Sequence, residues 1–109
     1  MKQIEILYFQ TCPGWRGTVE RVHEVIKEEG LDDEVTVKTV SVDTEQDAMR
    51  LQFLGSPTVR VDGRDVDPTA ASKTDFGLQC RLYESGGRIE KLPSSEMIRT
   101  ALGLTEVGR

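Results

Sequence analysis

The sequence predicts an α/β sandwich with a mixed central sheet, helices on both faces and an extra C-terminal hairpin. A short apolar β-rich stretch is followed by a long helical pattern and then by a second stretch with strand alternation. Such a strand–helix–strand opening gives a parallel pair with a right-handed crossover. Further along, Asp62-Gly63 is a strong two-residue hairpin signal, which adds antiparallel strands to the same sheet.

The first strand and the first helix are predicted from residues 4–9 and from about residues 13–29. The strand is apolar enough to be central in a sheet. Pro13 suits the first position of a helix, because its fixed φ fits and its missing N–H needs no partner there. This assignment places Cys12 at the helix N-cap, and Gly30 is a suitable stop.

A second strand and a second helix follow. Alternating valines over residues 35–42 predict the strand. Thr44 with Asp47 three positions later resembles a weak capping box, so a short helix is expected over about residues 45–53. Gly55 is expected to end that helix.

The last third of the chain carries a hairpin, an irregular segment, a second hairpin and a helix. Residues 58–61 and 64–66 flank the Asp62-Gly63 turn. Residues 67–79 contain few apolar side chains and are expected to be irregular, and such long segments are usually functional or mobile. A small hairpin is expected over residues 81–90. The last helix follows Ser94, and its expected buried face is Met97, Ile98, Ala101 and Leu102.

Length and composition indicate one folded domain over residues 1–109. Hydrophobic residues make up 37% of the chain and charged residues 30%, a balance typical of globular proteins. The net charge of -5 argues against a nucleic-acid partner. The opening segment lacks the features of a signal peptide and no apolar run approaches a membrane span, so a cytoplasmic protein is expected. In that compartment cysteines are usually reduced, which disfavours a permanent disulfide.

Cys12 is the candidate reactive group. Free N–H groups and the dipole at a helix start favour the thiolate, which is the nucleophilic form of cysteine. Its position after the first strand is also where open α/β sheets hold their sites. The alternative is a buried, inert cysteine, since cysteine is among the most buried residue types.

The run Leu7-Tyr8-Phe9-Gln10-Thr11-Cys12-Pro13-Gly14-Trp15, followed later by Ser56-Pro57-Thr58, resembles the thioredoxin-like superfamily. The resemblance spans roughly two-thirds of the chain. It implies a thioredoxin-like sandwich in which Cys12 is the nucleophile and Pro57 is a cis-proline that faces it. The residues then expected to contact substrate are Thr11, Pro13, Trp15, Ser56 and Pro57.

The sequence departs from the superfamily pattern in two places. Trp15 occupies the position of the usual second cysteine, so the ordinary dithiol couple cannot form in the first helical turn. The segments 55–63 and 75–83 together resemble a group of small bacterial thioredoxin-like proteins that are often labelled as relatives of alkylmercury lyase.

The sequence is compatible with three roles for Cys80. If residues 67–79 fold back over the helix start, Cys80 acts as a resolving thiol for a mixed disulfide at Cys12. The two sulfurs can alternatively clamp a soft metal ion. In the third possibility Cys80 packs beside Leu78 and Leu82 and never meets Cys12.

These observations lead to three functional hypotheses. The first is a thiol–disulfide oxidoreductase that needs no cofactor and whose partner is a thiol or disulfide of a protein or small molecule. The second is a soft-metal or organomercurial binding protein that uses both thiols. The third is a redox-inactive interaction module. His23 is expected to be a surface residue. Arg81 is expected to be a solvated charge, with pairing to a carboxylate or a substrate anion as the alternative. The acidic residues Asp62, Asp65 and Asp67 of the first hairpin are not expected to bind a metal.

Overall fold

A mixed four-stranded sheet forms the centre of the fold in the computed structural model, which describes residues 2–104. Its strands are β1 (Lys2–Tyr8), β2 (Val35–Ser41), β3 (Thr58–Val61) and β4 (Arg64–Asp65). The order in the sheet is β2-β1-β3-β4, with β1 parallel to β2 and antiparallel to β3. The β3–β4 pair is the hairpin at Asp62-Gly63. The predicted α/β class and the mixed sheet are therefore confirmed.

Helices cover both faces of this sheet. They are α1 (Trp15–Glu28), α2 (Glu45–Arg50) and α3 (Ser95–Ala101). Because side chains alternate along a strand, Ile4 and Ile6 of β1 lie on one face and Leu7 lies on the other. The first face packs against α1 and α3, and the second packs against α2. The carboxyl end of β1 therefore leads into the loop before α1, between two separately packed layers.

Side-chain caps mark the starts of α2 and α3. The Thr44 hydroxyl accepts from the Asp47 N–H at 3.0 Å, and the Ser94 hydroxyl accepts from the Met97 N–H at 3.1 Å. Both caps agree with the sequence signals. The helix α2 ends at Arg50, earlier than predicted, and Gly55 lies beyond it in the loop before β3.

The segment predicted to be irregular contains a short 3-10 helix over Pro68–Ser72. The Asp67 carboxylate caps it by accepting from the Thr69 N–H at 3.0 Å. The predicted second hairpin is present as β5 (Tyr83–Ser85) and β6 (Arg88–Glu90), which form a separate two-stranded sheet. Within residues 2–104, no helix has the length and apolar character needed to cross a bilayer.

Candidate active site

Cys12 lies in the turn between β1 and α1, with its backbone N–H donating to the Phe9 carbonyl at 3.2 Å. The helix begins after it, because Gly14 is the N-cap residue and adopts a φ of 97°. The Gly14 carbonyl accepts from both the backbone N–H and the hydroxyl of Thr18, at 3.0 and 2.8 Å. The prediction that Cys12 is the N-cap was therefore wrong. The turn-forming glycine, rather than Pro13, sets the start of the helix.

The Cys12 thiol is buried, with 3% of the residue exposed. Its Sγ lies 3.3 Å from the carbonyl oxygen of Ser56 and 3.4 Å from that of Pro13, and both are acceptors for a protonated thiol. Burial and then the hydrogen bond with Cys80 raise the pKa of Cys12 from its ordinary 9.0 to about 11. The hydrogen bond with Ser56 and the charge of Lys91 act in the opposite direction and offset the rise only in part. The sequence predicts a thiol that ionises readily, whereas burial shifts the pKa of Cys12 in the opposite direction.

Cys80 meets Cys12 directly. The two Sγ atoms are 2.9 Å apart, and both cysteines are free. Unlike Cys12, Cys80 is exposed. The possibility that Cys80 packs away from Cys12 beside Leu82 was therefore wrong, and Leu82 itself is 61% exposed. Cys12 thus lies inside the protein, whereas Cys80 lies at its surface.

A β-bridge between Ser56 and Cys80 holds the second thiol in place. The Ser56 N–H donates to the Gln79 carbonyl at 2.8 Å, and the Ser56 carbonyl accepts from the Arg81 N–H at 3.0 Å. Gly55 allows this close approach. Its φ is 126°, and a Cβ there would lie 2.8 Å from the Gln79 carbonyl oxygen. The segment that follows the 3-10 helix thus runs beside the residue that precedes Pro57.

Arg81 anchors this segment from the other side. Its guanidinium donates to both carboxylate oxygens of Asp65, at 2.7 and 2.8 Å, and lies 4.5 Å from the centre of the Tyr83 ring. The Tyr83 hydroxyl in turn donates to the Pro57 carbonyl at 2.6 Å. Burial raises the pKa of Tyr83 well above its usual range. The prediction of a solvated Arg81 was wrong, because the irregular segment carries it onto the β3–β4 hairpin.

The remaining predicted residues are divided between the core and the surface. The peptide bond before Pro57 is cis, as predicted, and both Ser56 and Pro57 are buried. Thr11 and Pro13 are exposed in the turn that carries Cys12.

Trp15 is half-buried, and its ring stacks on Tyr8 with the ring centres 4.0 Å apart. The Arg16 guanidinium lies 5.0 Å from the Trp15 ring centre. His23 is exposed on α1, as expected.

A polar pocket of about 310 Å³ opens beside Cys80. Its lining includes Lys73, Asp75, Gln79 and Leu82. A larger cavity of about 700 Å³ lies between the β3–β4 hairpin, the 3-10 helix and α3, and neither cysteine lines it. The smaller pocket is therefore the one that gives access to a thiol.

The sequence did not reveal the contacts of Arg81 and Tyr83. The signal that could have shown them is their spacing, since two residues that lie two positions apart in an extended chain point to the same side.

Within residues 2–104, no cluster of three or more histidine, cysteine or acidic side chains is placed to hold a metal ion.

The fold and the site define an α/β protein with a buried and an exposed thiol in contact beside a cis-proline. Residues 3–102 match the family described as a domain of unknown function, DUF2703, and the chain belongs to that family. Neither a curated protein nor a solved structure matches the chain.

Proposed function

We propose that this protein is a thiol–disulfide oxidoreductase of thioredoxin-like fold whose redox couple is Cys12 and Cys80. The observation that carries the proposal is the separation of 2.9 Å between the two Sγ atoms. A disulfide bond is about 2.05 Å long, so the sulfurs need to approach by roughly 0.9 Å. A shift of this size is within the reach of side-chain rotation.

The arrangement around Cys12 supports a thioredoxin-like fold. The cysteine lies between the first strand and the first long helix. Its Sγ lies 3.3 Å from the carbonyl oxygen of Ser56, the residue before the cis-proline. The second thiol comes from Cys80, which is distant in sequence, while Trp15 fills the position that the second cysteine holds in the usual motif. The couple is thus built across two segments rather than within one helical turn.

The reaction is a two-electron exchange. A substrate disulfide accepts two electrons and two protons and leaves as two thiols, while the thiols of Cys12 and Cys80 become one disulfide. An external dithiol returns the protein to its reduced state by the reverse exchange. Each half-reaction passes through a mixed disulfide between one protein sulfur and one substrate sulfur.

Soft-metal binding is the second candidate, and the same sulfur pair suggests it. With metal–sulfur bonds of about 2.3 Å, tetrahedral to linear coordination separates two sulfurs by roughly 3.7–4.6 Å. The observed 2.9 Å lies between the disulfide length and that range, at nearly equal distance from both. Within the described residues no third histidine, cysteine or acidic side chain joins the two thiols in a metal-ligating cluster, and redox exchange is therefore placed first.

The test is a count of released thiol. Reduced, desalted protein is mixed with oxidised glutathione, and reduced glutathione and intact protein mass are followed together. The expected result is two equivalents of reduced glutathione and a protein that has lost two hydrogen atoms. The Cys12→Ser and Cys80→Ser variants are the controls, because neither can form the internal disulfide.

Two other outcomes contradict the proposal. No release of reduced glutathione by the wild type indicates a redox-inactive interaction module. A tight one-to-one complex with Cu(I), lost in Cys80→Ser and accompanied by no internal disulfide under oxidation, indicates a metal-binding protein.

A further inference from the structure

We propose that Cys80 is the thiol that exchanges with substrate, that Cys12 resolves the mixed disulfide from inside the protein, and that the substrate is a small, polar disulfide. This inference rests on the proposed function. It reverses the order of attack that the sequence resemblance implies, in which Cys12 reacts first.

The two cysteines differ in how far solvent and substrate can reach them. Cys12 is 3% exposed, whereas Cys80 is exposed and opens on the 310 Å³ pocket. A substrate sulfur must approach the attacking sulfur in line with the bond that breaks, and only Cys80 leaves room for that approach. Both residues of the Ser56–Cys80 bridge contact the Cys12 Sγ, Ser56 through its carbonyl oxygen and Cys80 through its own sulfur.

The backbone beside Pro57 is already occupied. A peptide that binds by adding a strand needs unpaired N–H and C=O groups at the receiving edge. Both backbone groups of Ser56 are bonded within the chain, to Gln79 and Arg81. A peptide disulfide cannot pair at this residue unless the segment 79–81 is displaced.

The pocket beside Cys80 suits a small molecule. Its volume of about 310 Å³ lies at the lower end of the usual range for small-ligand sites, roughly 300–1,000 Å³. Lys73 and Asp75 place both signs of charge on its lining. These features favour a polar disulfide, and the occupied backbone of Ser56 favours one of low molecular weight over a peptide that pairs as a strand.

The exchange runs in two steps. The Cys80 thiolate attacks one sulfur of the substrate disulfide, the substrate S–S bond breaks, and the first substrate thiolate leaves and takes up the proton that Cys80 has lost. The Cys12 thiol then passes its proton to the second substrate sulfur as it attacks the Cys80 sulfur, the bond between Cys80 and the substrate breaks, and the second substrate thiol leaves. The 2.9 Å contact between the two cysteine sulfurs favours this intramolecular step, whereas the raised pKa of Cys12 disfavours it as the first attacking group.

The experiment traps the first intermediate with oxidised glutathione and reads the modified residue by peptide mass spectrometry. In Cys12→Ser we expect a stable glutathione adduct on Cys80, whereas in Cys80→Ser we expect Cys12 to stay unmodified in the folded protein. An adduct on Cys12 of Cys80→Ser, formed as fast as the adduct on Cys80, overturns the order of attack and leaves the proposed function intact.

A second measurement uses the wild-type protein and does not depend on the folding of a variant. Because Cys12 is 3% exposed and its pKa rises from 9.0 to about 11, native Cys12 should be alkylated at least about 10-fold more slowly at neutral pH than Cys12 in urea-unfolded protein. Equal rates in the two states overturn the assignment of Cys12 as the inner thiol.

The substrate class is tested by comparing second-order rates of oxidation by oxidised glutathione and by insulin, per disulfide. A faster reaction with oxidised glutathione supports a small substrate. A reaction with insulin that is equally fast or faster indicates a protein partner and overturns this part of the inference. Failure of both reagents to close the internal disulfide refutes the proposed function instead.

Discussion

Substitution of Gly55 by alanine should disturb the site more than any comparable glycine substitution. A Cβ at this position would lie 2.8 Å from the Gln79 carbonyl oxygen and 3.0 Å from the Arg81 Cβ. The first of these atoms belongs to the backbone, so the segment that carries Cys80 must move. The backbone φ of 126° is a conformation that alanine rarely adopts.

The expected cost has two parts. Holding an L-residue at a φ of 126°, outside the left-handed helical region, costs about 1–3 kcal/mol. Weakening the two backbone hydrogen bonds of Ser56 to Gln79 and Arg81 costs about 0.5–1.5 kcal/mol each. The free energy of unfolding of reduced Gly55→Ala should therefore fall by about 2–6 kcal/mol. Closure of the internal disulfide should slow as well, because the two sulfurs lose their fixed separation.

The matched control is Gly30→Ala. Gly30 also has a positive φ, 68°, but no atom lies within 4 Å of the added Cβ and the residue follows α1, away from the thiols. Urea denaturation of the reduced proteins gives the free energies, and timed acid quench with mass spectrometry gives the closure rates. Equal losses of stability and equal closure rates in the two variants would refute the role assigned to Gly55.

Three further outcomes follow from the same contacts. Oxidation to the Cys12–Cys80 disulfide should raise the free energy of unfolding by about 4 kcal/mol, because this bond joins cysteines that are 68 residues apart. Urea denaturation should show no such gain for Cys80→Ser, which cannot form the bond. Arg81→Gln should lower the free energy of unfolding by about 3–5 kcal/mol in the same assay, because it leaves the largely buried Asp65 carboxylate without its ion-pair partner. The control Arg50→Gln removes the exposed pair with Asp47 and should lower it by under about 1 kcal/mol. The folded state holds the Cys12 proton up to about pH 11 and the unfolded state releases it near 9.0, so stability should fall as pH rises through this range. Cys12→Ala should reduce that slope and leave the component from the buried Tyr83 phenol, and an unchanged slope would contradict the burial of the thiol.

The local elements of the fold were largely predictable because their signals are local. Strand alternation, the Asp62-Gly63 turn and the caps at Thr44 and Ser94 depend on residues within a few positions of one another. The start of α1 was misplaced because Pro13 and Gly14 both fit a helix start. Which of them begins the helix depends on the turn that buries Cys12.

The candidate site was only half predictable for a different reason. Cys12 and Pro57 carry recognisable motifs, but the contact of Cys12 with Cys80 depends on the path of residues 67–79, which have no strong periodicity. The burial of Arg81 depends on the same path. The ionisation of Cys12 was predicted from its place near a helix start, whereas its pKa is governed by tertiary burial.

The most direct test of the central claim is a disulfide map of the protein at equilibrium in glutathione buffers. Samples are acid-quenched, alkylated and digested without reduction, and the peptides that contain Cys12 and Cys80 are quantified by mass spectrometry. The structure predicts a linked Cys12–Cys80 peptide in the monomer, which reverts to two free thiols as the reduced glutathione fraction rises. A Cys12 that stays reduced while Cys80 carries glutathione, or links two chains, would contradict it.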